Sequence, residues 1–222
     1  IPDEYCKQYN EYLSSYKYIS VREKQSVDAL KKCISNSIEE VVDPTFLLSS
    51  AEWENLLNEA KLNTAYFSSP YIFCYFVGER HSYWDYVKKI RKKCGYNVVV
   101  LPINDEGYNN SFKKYVKASP AEFLWLIKHA AIVCTDSFHA TVFSMQFGKD
   151  FYVLKRFIDS DKQSQNGRIY NLLEQYGIQD RIVEDETIFN YSSRIDYKKI
   201  WKIMDENRNR SRKWLKEVMR KL

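Results

Sequence analysis

From residue 71 onward, apolar residues arrive in short continuous runs separated by segments with helical spacing. The runs 71–77 (YIFCYFV), 97–103 (NVVVLPI), 131–134 (AIVC), 151–155 (FYVLK) and 181–184 (RIVE) read as strands buried on both faces. Between them, 84–94, 120–129, 140–147 and 167–176 read as helices. Ser119 and Pro120 form a helix start, and Gly95 and Gly177 form left-handed stops. Alternating strands and helices predict an α/β fold: a Rossmann-like parallel sheet with helices on both faces.

Ahead of residue 71 the pattern is weaker. It predicts helices over 2–15, 25–33 and 50–60, and strands over 18–23 and 41–48, the second interrupted at Pro44. Residues 61–70 are polar and unpatterned, as in a linker. A long helix over 197–222 carries Ile200, Ile203, Met204, Leu215, Val218 and Leu222 along one side. The organisation expected is 1–62 as a first portion, 63–195 as the Rossmann-like domain and 196–222 as a basic terminal helix.

Composition narrows the function classes. The net charge of +5 is mild, and much of the excess lies in 208–221. That run is either a solvated helix face or a contact with anionic lipid head groups at the inner membrane surface. No nucleic-acid-binding module is recognisable. The aromatic share of 16%, with 18 Tyr, suits half-buried α/β surfaces or a carbohydrate-facing cleft and does not separate them. The five cysteines, Cys6, Cys33, Cys74, Cys94 and Cys134, form no CxxC pair. They suggest a reduced, cytoplasmic protein without disulfides or a zinc site. No apolar run reaches the ~18 residues of a membrane span, and no secretory signal is present. GxGxxG and Walker A loops are absent.

The chemistry concentrates at Thr135-Asp136-Ser137-Phe138-His139, between a predicted strand and helix. Ligands of open α/β sheets bind outside the carboxyl ends of strands, and helix N-termini there attract anions. His139 is the candidate acid/base group. Asp136 orients His139, holds a ligand or caps the helix, and Ser137 holds a ligand or caps it. Arg168 opens a later helix, where its charge opposes the dipole; that suggests an anionic partner. Arg22 stands at a strand end, available to an anion or to a neighbouring acid such as Glu23.

Five segments in order resemble the polysaccharide pyruvyl transferase family: Ser20-Val21-Arg22-Glu23, Asp43-Pro44-Thr45-Phe46-Leu47-Leu48, Ser119-Pro120-Ala121-Glu122-Phe123, Thr135 through Ser144 (TDSFHATVFS), and Arg168-Ile169-Tyr170-Asn171-Leu172-Leu173. The resemblance covers about 19–222. It implies the C-terminal half of a glycosyltransferase type B fold, with 1–62 as a remnant of the N-terminal domain. That departs from the family, where the Ser-Val-Arg-Glu segment lies well inside the chain. The implied reaction transfers pyruvate from phosphoenolpyruvate to two sugar hydroxyls as a cyclic ketal, in cell-surface polysaccharide synthesis of a bacterium. The acceptor is a glycan or a lipid-linked or nucleotide-linked sugar, and no metal or other cofactor is expected. Under this resemblance His139 and Arg22 are the catalytic candidates, and Asp136, Ser137 and Arg168 bind substrate. The alternatives are a nucleotide-sugar transferase on the same fold and a non-catalytic glycan- or partner-binding fragment.

Overall fold

The computed structural model describes residues 1–112, 116–158, 160–161, 164–185 and 194–221. In chain order the elements are α1 (Asp3–Leu13), β1 (Ile19–Val21), α2 (Lys24–Lys31), β2 (Ile38–Glu40), α3 (Pro44–Leu47), α4 (Ser50–Leu57), β3 (Tyr71–Tyr75), α5 (Ser82–Cys94), β4 (Asn97–Val100), α6 (Asp105–Asn109), α7 (Pro120–His129), β5 (Ile132–Thr135), α8 (Phe138–Gln146), β6 (Asp150–Leu154), α9 (Asn166–Tyr176), β7 (Ile182–Val183) and α10 (Tyr197–Met219). Leu222, the last residue of the predicted terminal helix, lies outside the described residues. The chain divides into two compact units, one of 1–48 with 201–222 and the other of 49–200.

The larger unit is a five-stranded, wholly parallel sheet in the order β4-β3-β5-β6-β7. Numbered within the unit this is 2-1-3-4-5, a doubly wound order whose direction reverses between β3 and β5. Alternate residues of each strand feed two buried layers. On one face Ile72, Cys74, Val100 and Cys134 pack with Trp84, Val87 and Ile90 of α5. On the other, Phe73 and Tyr75 meet the ring of Phe123 from α7 edge-on, and Phe123 meets Phe143 of α8. A strand covered on both sides must be apolar throughout, which is why β5 is buried at all four positions.

Helix starts follow local chemistry. Ser119 and Glu122 form a reciprocal capping box at α7, with Pro120 in its first turn. Ser49 and Glu52 repeat the device at α4. The α4 helix belongs to the sheet unit, because Trp53 packs edge-on against Phe143 and Glu54 pairs with Lys128. The compact division therefore falls at 48/49, whereas the sequence pattern placed it at 62/63. The expected linker contains a 3-10 turn, Thr64–Phe67, and Phe67 packs on Tyr71 and Trp125.

In the smaller unit β1 and β2 pair in parallel. Ile19, Val27, Leu30, Ile34 and Ile38 form its apolar cluster. The strand expected over 41–48 is corrected. The ladder ends at Glu40, and Asp43 accepts from the Thr45 N–H, so that Pro44–Leu47 coils into a short helix. Proline at the first helical position suits that turn as well as it suits a strand end. Deeper in the unit, Arg208 of α10 donates to the Phe46 carbonyl at 2.8 Å, and Ser211 accepts from the Val42 N–H at 3.0 Å.

A second correction concerns the cysteines. Cys6 and Cys33 are joined in a disulfide, and Cys74, Cys94 and Cys134 are free. Cysteine count and spacing carry no information about how α1 returns to α2. Asn36 draws the two segments together by donating to the Ser14 and Tyr16 carbonyls at 3.4 and 3.0 Å. The reading of all five thiols as reduced therefore fails, and the cytoplasmic expectation loses the support it took from them. Denatured without reductant, the chain is expected to take up three alkyl groups by mass spectrometry, and five after reduction. Cys33→Ser in oxidised protein is expected to lower unfolding free energy by about 3.5 kcal/mol, the chain-entropy value for a loop of this length, measured by denaturant titration.

Candidate functional site

The turn Thr135–His139 leaves the central strand β5 beside the reversal point, and its side chains divide sharply. Thr135 donates from Oγ1 to the Tyr75 carbonyl at 2.6 Å and accepts from the Ser137 N–H at 3.0 Å, which sets the turn. Ser137 is buried, and its Oγ accepts from the Ala140 N–H, so it is the N-cap of α8. Of the two roles left open by the sequence, capping is the one the structure displays.

Asp136 has a different role from those expected. Its side chain is fully buried, 0% exposed. Oδ1 accepts from the Val77 N–H at 2.7 Å, and Oδ2 from the Gly78 N–H at 2.7 Å. The Tyr83 hydroxyl lies 3.2 Å from Oδ2 and 3.0 Å from the Lys155 carbonyl. Arg156 completes the set, with Nε 3.2 Å from Oδ2 and Nη2 3.1 Å from the Asp136 carbonyl. A charge taken from water requires such partners. The carboxylate thus fills the crevice between β3 and β5 and ties together the segments that follow β3, β5 and β6. Burial first, and then the Asp136 charge, push the Tyr83 and Tyr75 hydroxyls above the ordinary tyrosine range; Arg156 opposes the shift in both.

Beside this knot lies a small pocket open to solvent, lined by Phe138, Arg156, Phe157, Gln165, Arg168 and Ile169 among others. Arg156 comes from the loop after β6. Asn166 fixes that loop by donating to the Phe157 carbonyl at 2.8 Å and accepting its N–H at 3.3 Å. Arg168, in the first turn of α9, holds its guanidinium carbon 5.0 Å from the centre of the Phe138 ring. That cation–π contact offsets the unfavourable position at a helix start. His139 is exposed on the first turn of α8, its ring edge-on to Phe138 at 5.5 Å. Asp136 and Arg168 thus line one pocket, and Phe138 connects it to His139.

Arg22 belongs to the other unit. Its Nη1 pairs with Asp43 Oδ2 at 2.6 Å and its Nε with Glu23 Oε1 at 3.5 Å, so the neighbouring acids hold its guanidinium. Asp43 in turn accepts from the Thr45 hydroxyl at 2.6 Å. Sequence reasoning missed Arg156, Tyr83 and Lys155; Lys155 is paired with Glu184 and lies 5.8 Å from the Tyr170 ring centre. The available signal was positional: Lys155-Arg156 immediately follows a buried parallel strand, and in such sheets those positions face the ligand side. Among the described residues no group of three or more His, Cys, Asp or Glu is placed to hold a metal ion.

This arrangement of strand ends defines a Rossmann-like α/β unit of the glycosyltransferase type B kind. Its fold is similar to that of UDP-GlcNAc 2-epimerase from Methanocaldococcus jannaschii in complex with UDP-GlcNAc and UDP, at TM-score 0.52 and 14% identity over 87% of this chain and 54% of that one. UDP-GlcNAc 2-epimerase from Neisseria meningitidis bound to UDP-GlcNAc aligns at TM-score 0.50 and 11% identity, over 90% of this chain and 62% of that one. The chain thus spans roughly half to three fifths of the length of these structures. None of the curated proteins matches it. Residues 1–156 match polysaccharide pyruvyl transferase, and the chain belongs to that family. No helix among the described residues is long and apolar enough to cross a membrane.

Gly78 is the residue most tightly constrained by this geometry. A Cβ there would lie 2.8 Å from Asp136 Oδ2 and 3.0 Å from both Arg156 Cγ and the Tyr83 hydroxyl. Gly78→Ala is expected to lower unfolding free energy by about 1–3 kcal/mol. Asp136→Asn, which places an amide N–H against a backbone N–H, is expected to cost about 2–4 kcal/mol. Urea unfolding of both variants checks these values, and a wild-type midpoint in either removes the knot from the account.

Proposed function

We propose that the chain is the domain of a pyruvyl transferase that takes phosphoenolpyruvate as donor and forms a cyclic ketal on a sugar. The observation that carries the reading is the exposed imidazole of His139 beside a pocket lined by two guanidiniums, in a chain of this family. The donor bears a carboxylate and a phosphate, about three negative charges near neutral pH. Arg156 and Arg168 suit those oxygens through paired N–H donors.

In this reading the first sugar hydroxyl adds to C2 of the enol as a proton reaches the C3 methylene, which becomes the methyl group. The second hydroxyl then bonds to C2, the C2–O bond to phosphate breaks, and the remaining hydroxyl proton leaves with phosphate. His139 delivers the proton to C3. Its exposed place on the first turn of α8 gives the imidazole access to solvent. Asp136 acts through Arg156, as a positioning residue, and Ser137 as a cap. The acceptor is a glycan or a lipid-linked or nucleotide-linked sugar of surface polysaccharide synthesis, and the reaction runs on the cytoplasmic side.

Calorimetric titration with phosphoenolpyruvate tests the reading. Saturable binding is expected for the chain and for His139→Ala, and none for the Arg156→Ala, Arg168→Ala double variant. In a transfer assay, His139→Ala is expected to lose about 10²–10⁴-fold in rate. The same titration assigns Arg22: loss of binding in Arg22→Ala with an unchanged unfolding midpoint makes it a donor ligand, and loss of stability alone makes it the clip on Asp43. Saturable binding of UDP-GlcNAc with no response to phosphoenolpyruvate would instead identify a nucleotide-sugar transferase.

A further inference from the structure

Arg156 stands in a loop just past the end of β6, yet its reach into the pocket is fixed from three sides. Loops at strand ends are the more mobile parts of such a fold, and an anion grip works only where its donors hold a set geometry. The Arg156 side chain rests on Asp136, and Phe157 is bonded through both backbone groups to Asn166. On the other flank, two proton donors lie against the Lys155 carbonyl: Arg80 Nη1 at 2.9 Å and the Tyr83 hydroxyl at 3.0 Å. They do not hold it equally. A hydroxyl has one proton, and the Tyr83 oxygen also lies 3.2 Å from the buried Asp136 carboxylate. A carboxylate is the stronger acceptor, so the Tyr83 proton goes to Asp136 and the Lys155 carbonyl falls to Arg80. Arg80 is half-buried in the loop between β3 and α5. Its carbonyl accepts from the Tyr83 N–H at 3.2 Å, and its guanidinium carbon lies 5.9 Å from the centre of the Tyr83 ring. The side chain therefore ties the loop after β3 to the loop after β6.

We infer that Arg80 is a positioning residue of the anion site: by holding the Lys155 carbonyl it fixes the backbone from which Arg156 reaches the pocket. The inference rests on the reading of that pocket as the donor site, and adds to it a residue from outside the pocket lining. Water could bond the same carbonyl, but water is not tied to Tyr83 and sets no direction for the peptide. A guanidinium on a stem anchored beside Tyr83 sets that direction, and its charge strengthens the bond. Displacing a binding group by about 1 Å costs up to roughly 100-fold, so the bond matters to the ligand without touching it. Were Arg80 a ligand of the donor instead, Arg156 would keep its geometry without it.

The arginine Nε–H resonances of the full 222-residue chain, recorded by NMR without ligand, test the first link. Arg156 Nε is bonded to the buried Asp136 carboxylate, so its proton is expected to exchange slowly with water, and Arg156→Lys identifies the signal by removing it. In Arg80→Ala that proton is expected to exchange about tenfold faster or more. In Arg80→Lys, which keeps a charged donor, the rate is expected to return toward that of the parent. Titration with phosphoenolpyruvate tests the second link. The dissociation constant is expected to rise roughly 10–100-fold in Arg80→Ala and to recover in Arg80→Lys. Arg80→Gln, the milder change, is read in the same way where Arg80→Ala does not fold. An unchanged Arg156 exchange rate in Arg80→Ala overturns the inference, and weakened binding beside it makes Arg80 a ligand of the donor. Faster exchange with parent-like binding overturns it as well. A parent chain that ignores phosphoenolpyruvate but binds inorganic phosphate overturns the donor reading instead, and the exchange rates with the phosphate titration then decide the role of Arg80. Silence toward both anions removes the anion site and the inference with it.

Discussion

One buried carboxylate organises the working edge of the sheet. Asp136 gives up hydration at the point where the winding direction of a doubly wound sheet reverses, and recovers it from two backbone N–H groups, a phenol and a guanidinium. In many open α/β sheets that crevice is left for a ligand. Here the protein fills it with its own anion, and the pocket lies one strand over, where the loop after β6 meets α9. The position of Arg156 follows from this, because the carboxylate and its own carbonyl hold the guanidinium by two of its nitrogens.

The turn after β5 shows how closely structural and chemical work can be interleaved. Thr135 shapes the turn, Asp136 ties three segments, Ser137 caps the helix, Phe138 carries the charge of Arg168 on its ring, and His139 faces solvent. Five consecutive residues thus have five environments. A strand-to-helix turn produces this result because its backbone changes direction at every position, so neighbouring side chains leave along different axes.

Much of the fold was legible because burial on both faces leaves an unmistakable signature. The runs at 71–77, 97–103 and 131–134 contain β3, β4 and most of β5, and the start of α7 was placed to the residue by Ser119 and Pro120. Local chemistry misled where it was ambiguous: Asp43-Pro44 serves equally as a strand terminator and a helix opener, and packing of Phe46 decided for the helix. The candidate site was legible as a location and less so as a set of roles. Sequence placed His139 and Asp136 on the ligand side of the sheet. It did not reveal that the N–H groups of Val77 and Gly78, 58 or more residues earlier, would claim the carboxylate. Arg156 and the Cys6–Cys33 link escaped for the same reason, since each depends on a long-range approach that spacing does not encode.

The smaller unit joins two stretches far apart in sequence, 1–48 and 201–222, while the sheet unit is one uninterrupted stretch between them. During synthesis the sheet unit has all its residues before the smaller unit has its last 22. Domains fold as units while the chain emerges from the ribosome at about 5–20 residues per second. Of these two units the sheet unit is therefore the first to have all its residues. The Phe46 carbonyl and the Val42 N–H stay bonded to water until Arg208 and Ser211 have been translated to replace it.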